Sequence, residues 1–158
     1  MAELEEKFMR QAIALALENV RSGAGGPFAA LIVKDGAIIA EGTNRVTSTN
    51  DPTAHAEIVA IREACRVQQN FQLQGCELYS TCEPCPMCLG AIYWTRPTGI
   101  FYAATHAEAA AAGFDDQFIH EEMNRPTQQR RIPRTQILHD ESQAIFAAWA
   151  TQPNKQSY

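Results

Sequence analysis

Cys82-Glu83-Pro84-Cys85-Pro86-Met87-Cys88, taken with His55-Ala56-Glu57 upstream, decides how the chain is read. Cys85 and Cys88 stand three residues apart at the start of an expected short helix, 86–94, so they lie one above the other on a single face. Pro86 suits the first helical turn, where its missing N–H is not needed. The positive end of that helix favours the thiolate, which is the form that binds metal. Zinc takes sulfur and imidazole nitrogen readily, and a catalytic zinc keeps three protein ligands and one open position. His55, Cys85 and Cys88 supply three ligands, and two thiolates with a neutral imidazole cancel the charge of Zn²⁺. Glu57 falls in the first turn of the same expected helix as His55. There it can stand beside a water in the open position without binding metal. Metal lowers the pKa of such a water to ~7, and a carboxylate can take its proton and pass it on.

Outward from this motif, the chain alternates helix and strand. Leu4, Phe8, Ile13, Leu15, Leu17 and Val20 among charges predict an amphipathic helix over 3–21. Ser22-Gly23-Ala24-Gly25-Gly26-Pro27 breaks it. Apolar runs over 28–33 and 37–40 flank Lys34-Asp35-Gly36, which is a hairpin signal. Neither run alternates, so the hairpin is expected to be buried on both faces. A polar loop over 44–53 follows, with Thr53 as the expected N-cap of a helix over 54–68. Further strands are expected at 76–80, 99–103 and 135–138. Further helices are expected at 107–112, 115–123 and 142–149, before a polar tail that ends in Tyr158. The pattern is α/β with a covered sheet.

The chain has 158 residues, 46% of them hydrophobic and 20% charged, enough for one domain with a sizeable core. Thirteen basic against eighteen acidic residues leave a net charge of −5. That balance argues against a protein whose main task is to grip nucleic acid, although it leaves room for a local basic groove. Glu3, Glu5 and Glu6 occupy the place where a secretory signal would be basic, and no apolar run approaches the ~20 residues that span a bilayer. A soluble, cytoplasmic protein with no membrane partner is therefore expected. Five cysteines, an odd number, argue against a disulfide framework.

The H-x-E…P-C-x-x-C spacing is the signature of zinc deaminases that act on amino-heterocycles. The chain resembles the cytidine deaminase superfamily and, within it, the bacterial guanine deaminases. The matching stretches are Gly25-Gly26-Pro27-Phe28, Val33-Lys34-Asp35-Gly36, Asn50-Asp51-Pro52-Thr53-Ala54-His55-Ala56-Glu57, Cys82 to Trp94, and Ala112-Gly113-Phe114-Asp115-Asp116. The resemblance implies a three-layer α/β/α sandwich around a mixed five-stranded sheet, in a single domain, 1–158. It implies Zn²⁺ on His55, Cys85 and Cys88, and hydrolysis of guanine to xanthine and ammonia. Activated water would attack C2, while Glu57 takes its proton and passes protons to N3 and to the leaving amine. Asn44, the Ala56 N–H, Phe28 and Trp94 are the implied substrate contacts. Guanine presents N1–H and an amine as donors, so its reader needs an acceptor, and Asp116 is chosen over Asp115. The resemblance also implies a homodimer in which the tail, 150–158, with Tyr158 at its end, covers a partner's site.

Each of these residues has a plainer reading. Cys82-x-x-Cys85 has the spacing of a redox pair, but that leaves His55-Ala56-Glu57 unexplained. A structural zinc site would need a fourth ligand, with Cys82 nearest. Cys65 and Cys76 suit a core as small apolar residues. His106, His120 and His139 suit a surface or loop. Asn44 suits a turn, Phe28 and Trp94 a core, Asp115 and Asp116 a helix N-terminus. The alternative functions are tRNA adenosine deamination, deamination of cytosine or an aminotriazine, and a non-enzymatic zinc module.

Overall fold

A computed structural model of the chain describes residues 2–114 and 116–158. It divides into two compact units, Met1–Ile119 and His120–Tyr158. The first unit opens with α1 (Ala2–Arg21), β1 (Ala29–Lys34), β2 (Ala37–Thr43) and a single turn, α2 (Val46–Thr49). It continues with α3 (Ala56–Gln68), β3 (Cys76–Cys82), α4 (Pro86–Thr95), β4 (Gly99–Ala104) and α5 (His106–Ala111). Helix α6 (Gln117–Asn124) runs across the boundary.

The sheet has the order β2-β1-β3-β4. Strand β1 is antiparallel to β2 and β3, while β3 and β4 are parallel through the crossover helix α4. The sheet is therefore mixed. In β1, Ala30 and Ile32 face one side with Leu78 of β3, and Leu31 and Val33 face the other with Tyr79. Helix α1 covers the second side with Phe8 and Ala12. Helices α3 and α4 cover the first with Ala56, Ala60, Ala64 and Ile92. This period-two division between two apolar layers makes the α/β/α sandwich.

Strand β1 is buried on both faces as expected, but β2 is not, because it is an edge strand whose outward residues stay exposed. Asp35 and Gly36, with φ of 50° and 75°, form the two-residue turn between them. Helix α3 lies close on β2 because it presents alanine every fourth residue and meets Gly42. A Cβ on Gly42 would stand 2.2 Å from the Ala56 carbonyl oxygen and 2.5 Å from the Ala60 nitrogen. This contact sets the start of α3, with His55 and Glu57, onto the sheet.

Four further expectations need correction. The described residues form four strands, not five. Thr135–Leu138 is not a strand, because the segment joins no ladder and Leu138 turns into the left-handed region with a φ of 53°. Thr53 does not cap α3. Its N–H and hydroxyl both donate to Asp51 Oδ1, at 2.8 and 2.7 Å, in an Asx turn, and the N-cap position falls to His55. The loop expected over 44–53 contains α2.

In the second unit, the end of α6 is followed by a 3₁₀ turn (Thr127–Gln129) and α7 (His139–Thr151). The Arg130 guanidinium donates to the carbonyls of Met123 and Arg125, and the Arg131 N–H donates to Glu122, so polar contacts fold the connecting loop. Ile132, Ile137, Ile145, Phe146 and Trp149 are all exposed. Among the described residues, no helix is long and apolar enough to cross a membrane.

Candidate active site

His55 is the N-cap of α3 and Cys85 is the N-cap of α4, yet neither side chain caps its own helix. Both are turned to a shared point. His55 Nδ1 lies 3.6 Å from Cys85 Sγ and 3.5 Å from Cys88 Sγ. The three ligand atoms all fall within 4.8 Å of one another. A tetrahedral zinc with bonds of ~2.3 Å to sulfur and ~2.05 Å to nitrogen holds its sulfur and nitrogen ligands about 3.6 Å apart. The donor set and its spacing therefore fit that ion. Cys82, also buried, is not in the cluster; its Sγ lies 3.8 Å from the Thr105 carbonyl oxygen. That removes the nearest candidate for a fourth structural ligand.

The electrostatics favour a cation at this point. The hydrogen bond from Cys88 and the contact with His55 hold the Cys85 thiol down to about 4. The same contact with Cys85 raises His55. Metal binding would take the two cysteines as thiolates and the imidazole as its neutral form, releasing protons. The N-termini of α3 and α4 turn their positive ends to the cluster, which favours the thiolate form that binds metal.

Glu57 is 6% exposed, and burial raises its carboxyl above the ordinary value. The Ser80 hydroxyl donates to Glu57 Oε1 at 3.1 Å, and Cys88 Sγ lies 3.4 Å from Oε2. The carboxylate thus stands beside the ligand cluster but outside it.

A cavity of about 280 Å³ opens over this cluster. Phe28, Asn44, His55, Ala56, Glu57, Cys85 and Asp116, all singled out in the sequence, line it. Asp115 lies outside the described residues. The cavity also has walls that sequence reasoning missed. Phe114 packs edge-on to Phe28 with ring centroids 4.8 Å apart, and Cys82, Glu83, Val46 and Thr47 complete the mouth. Cys82 and Glu83 come off the carboxyl end of β3, where open α/β sheets place their sites, and that rule would have found them.

Asn44 is oriented by the backbone around it. Its Oδ1 accepts from the N–H groups of Gly26 and Val46, each at 3.3 Å. The amide oxygen is thereby occupied, and the amide presents Nδ2 as its donor. Behind it, the buried Asn19 donates to the carbonyls of Gly26 and Asn44 at 2.9 and 3.0 Å. Gly25 permits this close fold, since a Cβ there would stand 1.9 Å from the Asn44 carbonyl oxygen.

One expected contact does not line the cavity. Trp94 is 60% exposed on the last turn of α4 and faces another hollow, with Tyr93 and Arg96. Six residues of helix separate it from Cys88, roughly 9 Å along the axis, so it does not line the cavity. Tyr158, 70% exposed, belongs to the second unit.

The profile of the cytidine and deoxycytidylate deaminase zinc-binding region matches residues 2–104. Guanine deaminase of Bacillus subtilis is 58% identical over 153 residues, which are 97% of this chain and 98% of that protein. A crystal structure of the B. subtilis guanine deaminase superposes with a TM-score of 0.94, covering 97% of this chain and 98% of that one at 57% identity. A tRNA-specific adenosine deaminase of Aquifex aeolicus is 43% identical over 63% of this chain and 66% of its own length. The crystal structure of NE0047 in complex with 2,6-diaminopurine has a TM-score of 0.68 at 36% identity, over 71% of this chain and 62% of that one. The chain belongs to the cytidine and deoxycytidylate deaminase family.

Proposed function

We propose that the chain is a guanine deaminase, which hydrolyses guanine to xanthine and ammonia. The observation that carries this reading is a cluster of three metal-ligand atoms at the base of one cavity, with a buried carboxylate beside them and an amide and a second carboxylate on the cavity walls. The near full-length likeness to a guanine deaminase supports it.

Zn²⁺, held by His55, Cys85 and Cys88, supplies Lewis-acid activation of water when bound. Glu57 takes the proton of the attacking water and returns protons to N3 and to the departing amine. Its burial keeps the carboxyl basic enough for that task. Asp116 accepts the donors beside the reacting carbon. Asn44 donates Nδ2 to an acceptor on the base, because its oxygen is held by Gly26 and Val46. The Ala56 N–H, in the first turn of α3, has no partner within the helix and can donate to the base. Phe28 and Phe114 exclude water along one side.

In this reading 1–158 work as one deaminase domain, in the cytoplasm, where the five free thiols stay reduced. The apolar side chains exposed on the second unit support a homodimer in which the tail, 150–158, with Tyr158, covers a partner's site.

The deciding assay measures ammonia release from guanine, adenine, cytosine, guanosine and tRNA side by side, with metal quantitation on the same sample. The expected result is turnover of guanine well above the rest and one zinc per chain. Preference for tRNA or cytosine would replace guanine as the substrate. A metal-free active enzyme would remove the zinc.

A further inference from the structure

We propose that Ser80 is a positioning residue, whose hydroxyl fixes the rotation of the Glu57 carboxylate so that Oε2 faces the ligand cluster. The inference rests on the proton-carrying role proposed for Glu57.

Strand β3 sends Leu78 and Ser80 to the face covered by α3 and α4. That face is otherwise built of alanine, isoleucine, leucine and buried cysteine. Ser80 is 1% exposed, and the hydroxyl donates to Glu57 Oε1 at 3.1 Å. A buried hydroxyl costs stability unless it is paired, and a purely structural position here would favour alanine. The hydroxyl therefore has its justification in Glu57.

The geometry on the other oxygen explains why the carboxylate needs holding. Glu57 Oε2 lies 3.4 Å from Cys88 Sγ. A metal-ligating Cys88 is a thiolate with no proton to donate, so that contact then gives Oε2 no hydrogen bond. Without another partner the carboxylate would be free to rotate or withdraw. A hydrogen bond to Oε1 from the floor of the sheet opposes that movement. The glutamate backbone is fixed too, since Glu57 stands in the first turn of α3 beside the close contact at Gly42. Together the two constraints leave one oxygen tied down and the other aimed at the reacting water.

A misdirected proton carrier slows the chemical step without weakening ground-state binding. Ser80→Ala should thus lower kcat on guanine roughly ten- to hundredfold, the range of one hydrogen bond to a charged group, with KM within about twofold. Zinc content and Tm should stay near wild type. The discriminating measurement is a double-mutant cycle with Glu57→Gln. Once the carrier is disabled, its aim no longer matters, so Ser80→Ala should add nothing in that background. Equal losses in both backgrounds would show a merely structural hydroxyl and overturn the proposal, as would Ser80→Ala turning over like wild type while Glu57→Gln is inactive. Wild-type turnover by Glu57→Gln itself would instead remove the reading on which the proposal stands.

Discussion

The two units of the chain use apolar side chains in opposite ways. In Met1–Ile119 the core side chains are sorted by strand parity onto two faces of the sheet and covered by α1 on one side and by α3 and α4 on the other, while others such as Tyr93, Trp94 and Tyr102 stay exposed. In His120–Tyr158, no described residue is buried. Ile132, Ile137, Leu138, Ile145, Phe146 and Trp149 are exposed there. The first unit is a closed core that holds a complete set of candidate chemical groups. The second holds no buried side chain among the described residues and leaves its apolar ones open to solvent. The difference separates the chemistry proposed for the first unit from the access and assembly proposed for the second.

The largest test of that separation falls on Glu57. Glu57→Gln keeps the size and the hydrogen-bond acceptor for Ser80 but cannot carry a proton. Turnover of guanine should fall by about 10³-fold or more, with zinc content and far-UV signal unchanged. Single-turnover kinetics and metal analysis on one preparation check this. Substantial residual turnover would mean that another group in the cavity moves the proton, and Asp116 would then be the first to examine.

An intermediate effect is expected from the second unit. Deletion of 150–158 removes Tyr158 and the polar tail but leaves every residue of the cavity in place. If the tail covers a partner's site, kcat/KM should fall roughly 10²-fold through lost closure and positioning, while zinc stays bound. The dimer should weaken in sedimentation at the same time. Unchanged kinetics together with an unchanged dimer would break the contrast, because the second unit would then contribute neither access nor assembly.

The closed unit was far more legible in the sequence than the open one, for a physical reason. Metal ligation demands fixed residue types at fixed spacing, so His55, Glu57, Cys85 and Cys88 could be singled out before any fold was known, and the structure brings them together. The hairpin was equally plain, since Asp35-Gly36 has few alternatives between two apolar runs. Ser80 carried a signal that went unused, a polar residue on the inward parity of an apolar strand. Helix rise carries Trp94 away from Cys88 to another hollow, a distance that a linear motif does not show. Thr135–Leu138 looked like a strand from composition, but a strand exists only with a neighbour to pair with, and the segment finds none in the second unit. Where local chemistry dictates position, the sequence speaks; where burial depends on a distant partner, it is silent.

The smallest expected effect tests how firmly the closed unit holds its own edge. Asp51 precedes His55 in the loop before α3 and accepts from both the N–H and the hydroxyl of Thr53, with Arg62 at 3.7 Å. The hydrogen bonds from Thr53, then the charge of Arg62, hold its carboxyl below the ordinary value. A depressed folded-state pKa contributes stability that is present above the unfolded value, near ~3.9, and is lost as pH falls through the folded one. Asp51→Asn should therefore melt slightly lower than wild type at neutral pH, and the two curves should converge as the pH drops below the carboxylate range. Salt should shrink only the part due to the exposed Arg62 pair. Guanine turnover at neutral pH should change less than twofold, because the start of α3 is held independently by the Gly42 contact. A large loss of turnover in Asp51→Asn, with zinc retained, would show instead that the Asx turn itself sets the position of His55.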